Sequence, residues 1–280
     1  MRVVIFGATG LLGNALMRQW TSDEVVGLGS CDADIRSPQQ VESALARRRP
    51  DWVVLAAAYT DVDGCENHRD LALEVNCAGA ANVARAAAQI GSKLIFLSSD
   101  YVFDGSKESP YETDDPVSPG SVYGQTKAAA EAEIHTIVPQ SCILRTSWVF
   151  GIGGKCFPDT ILRLASSRES LDVVNDQRGC PTYTVDLARA IIALCRENAS
   201  GIVHATNSGD CTWFEFATAI VAAAGLKTKI HPTTTDRFPR PAPRPKYSVL
   251  SRRSLQGYGI TMPSWQDALA RYLEEREASL

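Results

Sequence analysis

Arg2-Val3-Val4-Ile5-Phe6 runs directly into Gly7-Ala8-Thr9-Gly10-Leu11-Leu12-Gly13, and then into an apolar-periodic stretch that ends near Trp20. The first five residues read as a strand and the last stretch as a helix. Glycines between them permit a tight turn. They also let a pyrophosphate approach the helix N-terminus, where free N–H groups and the dipole favour anions. Gly7, Gly10 and Gly13 are spaced G-x-x-G-x-x-G, one residue longer than the G-x-G-x-x-G fingerprint. With Thr9, Leu11 and Leu12 in the same loop, these six are candidate cofactor-binding residues. A purely structural strand–helix turn is the plainer alternative.

The same alternation continues downstream. Residues 25–28, 52–57, 94–98 and 142–147 are near-continuously apolar, as expected of buried parallel strands. Residues 38–49, 68–90 and 121–138 show helical spacing between them. Ser37-Pro38 supplies an N-cap followed by proline at the first helical position, and Gly91 ends the third helix. Strand–helix repetition predicts an α/β fold, a Rossmann-type doubly wound parallel sheet. Residues 1–150 form the expected dinucleotide-binding domain. Residues 151–280 are expected to be mainly a smaller substrate-binding lobe, with segments returning to the sheet. In that lobe 158–167, 186–197 and 214–224 read as helices and 171–174 as a short strand. Pro232, Pro239, Pro241, Pro243 and Pro245 exclude helix or central strand from their stretch.

Composition narrows the function. The 280 residues are 45 % hydrophobic and 21 % charged, with a net charge of −4, which argues against a nucleic-acid partner. No apolar run approaches a membrane span, and no cleavable signal pattern opens the chain, so a cytoplasmic location is expected. Eight cysteines lie at irregular spacings without a C-x-x-C pair, and four histidines sit apart from them. No metal is expected from that pattern.

Chemistry-bearing residues cluster late in the first half. Tyr123 and Lys127 are spaced one helical turn apart on one face. Ser99 closes a strand, at the edge where open α/β sheets bind ligands. A phenol that titrates near 10 needs a neighbouring cation to exchange protons at neutral pH, and Lys127 supplies one. Ser30, after the second strand, leaves room for a 2′-phosphate and favours NADPH. Asp32 keeps NADH as the alternative. Arg244 sits with Arg237, Arg240 and Lys246 in a basic loop suited either to diphosphate oxygens or to a structural role.

These residues together resemble the extended short-chain dehydrogenase/reductases. Further phrases narrow the match: Ala56-Ala57-Ala58-Tyr59-Thr60-Asp61-Val62-Asp63, Val75-Asn76, Ser98-Ser99-Asp100-Tyr101-Val102-Phe103-Asp104-Gly105 and Leu144-Arg145-Thr146-Ser147-Trp148-Val149-Phe150-Gly151. With Asp176-Gln177-x-Gly179-x-Pro181-Thr182 and Arg244-Pro245-Lys246-Tyr247, they are similar to the dTDP-4-dehydrorhamnose reductase family over nearly the whole chain. Two departures are Ser98-Ser99 for the usual Ser-Thr, and Arg178 where a smaller or aromatic residue is common. The resemblance implies NADPH- or NADH-dependent reduction of a nucleotide-sugar ketone. Tyr123 is then the proton donor, Lys127 its electrostatic partner and ribose ligand, and Ser99 the orienting hydroxyl. It places Asp34, Ile35, Ala56, Ala57, Ala58, Tyr59, Tyr123 and Lys127 along the cofactor, and Thr60, Val62, Ser99, Asp100, Tyr101, Trp148 and Arg244 along the substrate. It also implies a homodimer. Two other readings stand beside it. One is a different sugar-nucleotide epimerase or reductase. The other is a non-catalytic NADP-binding regulatory subunit of the methionine adenosyltransferase type. Dehydration is disfavoured, because Tyr101 follows Asp100 where an elimination needs glutamate.

Overall fold

The computed structural model describes residues 1–278. Six parallel strands form its centre: β1 (Arg2–Phe6), β2 (Glu24–Leu28), β3 (Trp52–Leu55), β4 (Lys93–Ser99), β5 (Cys142–Thr146) and, after the short strands described below, β10 (Gly201–His204). Their order is β10-β5-β4-β3-β1-β2. The chain leaves β1 towards β2 and then returns to pair β3 on the other side, so the winding direction reverses between β1 and β3. Ligands of doubly wound sheets bind at the carboxyl ends of strands beside such a reversal.

Alternation along β1 shows how one strand feeds two cores. Val3 and Ile5 pack with Leu16, Trp20, Val54, Leu144 and Ile191 on one face. Val4 and Phe6 pack with Val41, Leu45, Val53, Phe96 and Ile134 on the other. The first face is covered by α1 (Leu11–Gln19), and the second by α2 (Pro38–Arg48). Ser37 accepts from the Gln40 amide and Pro38 opens α2 as its sequence predicts. Burying each such Leu, Ile or Phe stabilises the fold by about 1.5–3 kcal/mol before entropy is counted.

Next come α3 (Val62–Asn67), α4 (Arg69–Leu73), α5 (Ala80–Gln89) and α6 (Val122–Ile137). The predicted helix 68–90 is thus interrupted. Glu74–Gly79 widens into a π-turn between α4 and α5, a feature that often marks a functional site. A short α3 precedes it, capped by Asp61, which accepts from the Gly64 amide.

The second half of the chain builds a separate core and also returns to the first. Strands β6 (Val149–Phe150), β7 (Ser170–Val174), β8 (Arg178–Gly179), β9 (Thr182–Tyr183), β11 (Cys211–Thr212) and β12 (Lys229–Thr233) pair two by two: β6 with β9, β7 with β12, β8 with β11. Helices α7 (Phe157–Ala165), α9 (Trp213–Ala223) and α11 (Trp265–Ala278) enclose Phe150, Leu162, Tyr183, Phe216 and Tyr272. By contrast α8 (Thr184–Arg196) packs on the central sheet beside α1, and α10 (Arg253–Gly257) lies against β10. Pro232 does occur in a strand, β12, but that strand pairs on one side only, where proline is tolerated.

Candidate active site

A cavity of about 800 Å³ opens at the carboxyl edge of the sheet, over the reversal between β1 and β3. The glycine loop forms one end of it. Gly7 has φ +85°, and a Cβ there would stand 2.6 Å from the Ala57 amide nitrogen. A Cβ on Gly13 would stand 2.1 Å from the Gly7 carbonyl oxygen. These two glycines therefore press the loop against β3 and α1. Gly10 meets only one atom closely, the Gly7 oxygen at 3.3 Å, and caps α1 without a side chain. A bare backbone turn at a helix N-terminus, open to a cavity this large, fits a dinucleotide pyrophosphate.

Ser99 ends β4, and α6 begins where Ser121 accepts from the Gly124 amide. That helix start sets Tyr123 in its first turn and Lys127 in the second. All three line the cavity with Asp100 and Tyr101. Burial and the Asp100 charge push the Tyr123 phenol above its ordinary value, while the Ser99 hydroxyl acts the other way. Lys127 is 2 % exposed and donates to the Leu97 carbonyl. Its ammonium stands 4.1 Å from the Phe96 ring centre. Burial, opposed by the Glu131 charge, lowers Lys127 to about 7. Asp100 is raised to about 6 by burial, against hydrogen bonds from Ser248 and Ser99.

Behind these groups runs a buried ion pair. Arg145 on β5 donates to both Glu131 oxygens, at 3.0 and 2.7 Å. Ser98 also donates to Glu131, and the guanidinium stacks 5.0 Å from the Phe103 ring. Asn76, inside the π-turn, accepts from the Tyr59 amide at 2.7 Å and donates to the Tyr59 carbonyl and to Thr126. One side chain thereby ties the loop after β3 to the helix that carries Tyr123 and Lys127.

The cavity also takes in Thr9, Leu11, Leu12, Ser30, Asp34, Ile35, Ala56, Ala57, Ala58, Thr60, Val62 and Trp148. Two expected residues do not line it. Tyr59 contributes loop anchorage through Asn76. Arg244 pairs with Asp63 at 3.0 Å and donates to the Ala242 carbonyl, although its charge is felt at Tyr101. Sequence reasoning overlooked Arg36, Lys155 and Trp213, which also line the cavity. Arg36 had a local signal, since it directly follows Asp34-Ile35. Trp213 had none, because its partner Trp148 is remote in sequence. Among the described residues no group of three or more His, Cys, Asp or Glu is placed to hold a metal ion. No described helix is long and apolar enough to cross a membrane.

The family model described as RmlD substrate binding domain matches residues 1–278. The chain belongs to this family. Similar proteins include the spore coat polysaccharide biosynthesis protein SpsK of Bacillus subtilis, 42 % identical over 99 % of both chains. The dTDP-4-dehydrorhamnose reductase of Mycobacterium tuberculosis is 40 % identical over 97 % of this chain and 92 % of its own. A crystal structure of dTDP-4-dehydrorhamnose reductase from Bacillus anthracis, in complex with NADP, superposes with a TM-score of 0.95. It is 38 % identical and covers 98 % of this chain and 99 % of its own.

Within the RmlD family frame, the departure at Arg178 is locally satisfied. Its guanidinium pairs with Asp210 at 2.6 Å and Glu215 at 3.2 Å. The shifted groups also set a pH dependence for any ketone reduction at this site. Above about 6 Asp100 gains charge, and above about 7 Lys127 loses it. With Tyr123 as the expected proton donor, both changes would disfavour the phenolate it leaves. The expected kcat/KM for reduction therefore falls as pH rises through neutrality, which a pH–rate profile checks. A flat profile across that range would remove Lys127 and Asp100 from control of the phenol.

Proposed function

We propose that this protein is an oxidoreductase that uses NADPH to reduce the 4-keto group of a nucleotide-sugar, with dTDP-4-dehydro-L-rhamnose converted to dTDP-L-rhamnose as the leading reaction. The observation that carries this reading is the convergence of Ser99, Tyr123 and Lys127 in one cavity with the bare glycine turn. Similarity to named dTDP-4-dehydrorhamnose reductases supports the substrate.

Residues 7–13 cradle the pyrophosphate, and Lys127 reaches the nicotinamide ribose. A bound reduced nicotinamide supplies the hydride. Ser99, whose single hydroxyl proton points to Asp100 in this structure, turns that proton to the ketone oxygen and fixes the carbonyl. Tyr123 passes its proton to the oxygen as the carbon–hydrogen bond forms, and Lys127 offsets the phenolate charge. Thr60, Val62, Tyr101 and Trp148 face the sugar, and much of the lobe from residue 151 closes the substrate end.

At the adenosine end the charge pattern favours a 2′-phosphate. The Asp32 carboxylate accepts from the Gly29 amide at 2.8 Å and is turned into its own loop. Asp34 is held by Arg36, whose guanidinium lies 2.6 Å from it and 3.8 Å from Glu74. Arg36 lines the cavity beside Asp34, and its guanidinium suits phosphate oxygens. Arg36→Ala is expected to weaken NADPH binding about ten-fold, in the range of one charged hydrogen bond, with NADH binding little changed. Calorimetry with both nucleotides checks it. Equal losses for the two would take Arg36 off the 2′-phosphate.

The deciding experiment is loss of NADPH absorbance with freshly generated dTDP-4-dehydrorhamnose, with NADH run alongside. Consumption of NADPH supports the reading. Binding of NADPH without consumption moves the assignment to another nucleotide-sugar or to a regulatory subunit, and NAD retained through purification moves it to an epimerase.

A further inference from the structure

Trp148 follows β5 with φ +47°, a left-handed conformation that crowds a large side chain against its own backbone. Its surroundings are built to accept that strain. The indole lies flat on Trp213, with ring centres 3.5 Å apart and planes 5° from parallel. It also rests on Gly179, where a Cβ would stand 2.5 Å from Cε2. The Trp148 carbonyl accepts from the Thr182 amide at 3.1 Å. Trp213 in turn packs on Phe157, ring centres 4.4 Å apart. It opens α9, whose start is locked by a capping box of Thr212 and Glu215. The β8–β11 ladder pairs Gly179 with Cys211 and Arg178 with Thr212, and this fixes Gly179 relative to Trp213. The ion pairs of Arg178 to Asp210 and Glu215 span the same ladder. Both indoles line the cavity. A costly backbone conformation persists at a site when neighbours over-determine it.

We propose that Trp213 and Gly179 are positioning residues that hold the Trp148 indole as a fixed wall for the sugar ring of the substrate, an inference that rests on the nucleotide-sugar reading above. The π-face of an indole is electron-rich and attracts the polarised C–H bonds on one side of a sugar. A ring already fixed by its neighbours loses little freedom when the sugar docks, so its contact translates into orientation of the ketone towards Tyr123. Without Trp213 the left-handed Trp148 keeps only its contact at Gly179 and rotates away. A side chain at Gly179 displaces the ring directly.

The test compares the full-length wild-type protein with Trp213→Ala, Trp213→Phe and Gly179→Ala, each first shown by thermal melting to fold. Two stacked indoles couple their ultraviolet transitions and give a bisignate circular-dichroism band. Wild type is expected to show that band, and Trp213→Ala to lose it. In Trp213→Ala and Gly179→Ala, KM for the nucleotide-sugar is expected to rise about ten- to a hundred-fold, as for a misplaced orienting group. NADPH affinity stays at the wild-type level, and Trp213→Phe recovers most of the lost KM because a ring is restored. Loss of the band with KM unchanged overturns the inference, as does an equal loss of NADPH affinity. Failure of wild type to bind any nucleotide-sugar, by calorimetry, overturns the functional reading itself and with it the sugar role of the pair.

Discussion

Tyr123→Phe is expected to lower turnover of a 4-keto nucleotide-sugar by about 10²–10⁴-fold, the usual contribution of a positioned general acid. NADPH affinity is expected to stay close to wild type, because in the proposed mechanism the lost hydroxyl acts on the ketone. The substitution removes one oxygen from a ring that packs edge-on against Tyr101, centres 5.7 Å apart, so the fold is expected to keep its melting temperature. Stopped-flow absorbance in single turnover isolates the chemical step, and calorimetry measures the nucleotide. A near-normal rate would transfer the proton to another group, and Asp100, raised to about 6, would be the first to examine.

The second large effect is on stability. Arg145→Met on β5 leaves Glu131 on α6 without its bidentate partner. Both side chains are nearly inaccessible, at 2 % and 7 %. Breaking a buried pair on one side typically costs about 3–5 kcal/mol, whereas replacing both partners with apolar groups of similar volume is often nearly neutral. The double change Arg145→Met, Glu131→Leu is therefore expected to recover most of the stability lost in the single variant. It does not recover activity fully, since Lys127 also loses the carboxylate that supports its proton. Denaturant melts of the single and double variants measure the coupling. A single variant as stable as wild type would show that water reaches Glu131.

The parts of this molecule that declared themselves in sequence are those governed by local rules. Five strands were legible because a sheet covered on both faces demands unbroken apolar runs. The glycine loop, Ser37-Pro38, and the Tyr123–Lys127 spacing depend on neighbours within a few residues. The sixth strand, Gly201–His204, escaped because its apolar run is only Ile202-Val203, between a glycine and a histidine, and the two-residue strands carry no pattern at all. The π-turn was hidden because Glu74–Gly79 sits inside a longer stretch of helical spacing and no local residue specifies the extra width. Its cause is tertiary, the Asn76 bonds to Tyr59 and Thr126. The stack of Trp148 on Trp213 joins residues 65 positions apart, and the pairing of Arg244 with Asp63 joins residues 181 apart. Neither is a property of any local segment.

The return of the chain to the central sheet after residue 184 has a consequence for inheritance. Because β10 and α8 come from beyond the first lobe strands, no single crossover separates the two cores. A chimera joined near residue 150 takes from one parent the edge strand and helix that must fit the sheet of the other. If the donor lacks matching partners, β5 is left with a row of unpaired backbone groups, a template for aggregation. Exchange of the C-terminal lobe between relatives therefore requires several coordinated breakpoints. Gradual substitution within the lobe, residue by residue around an unchanged chain path, is the accessible route to a new sugar.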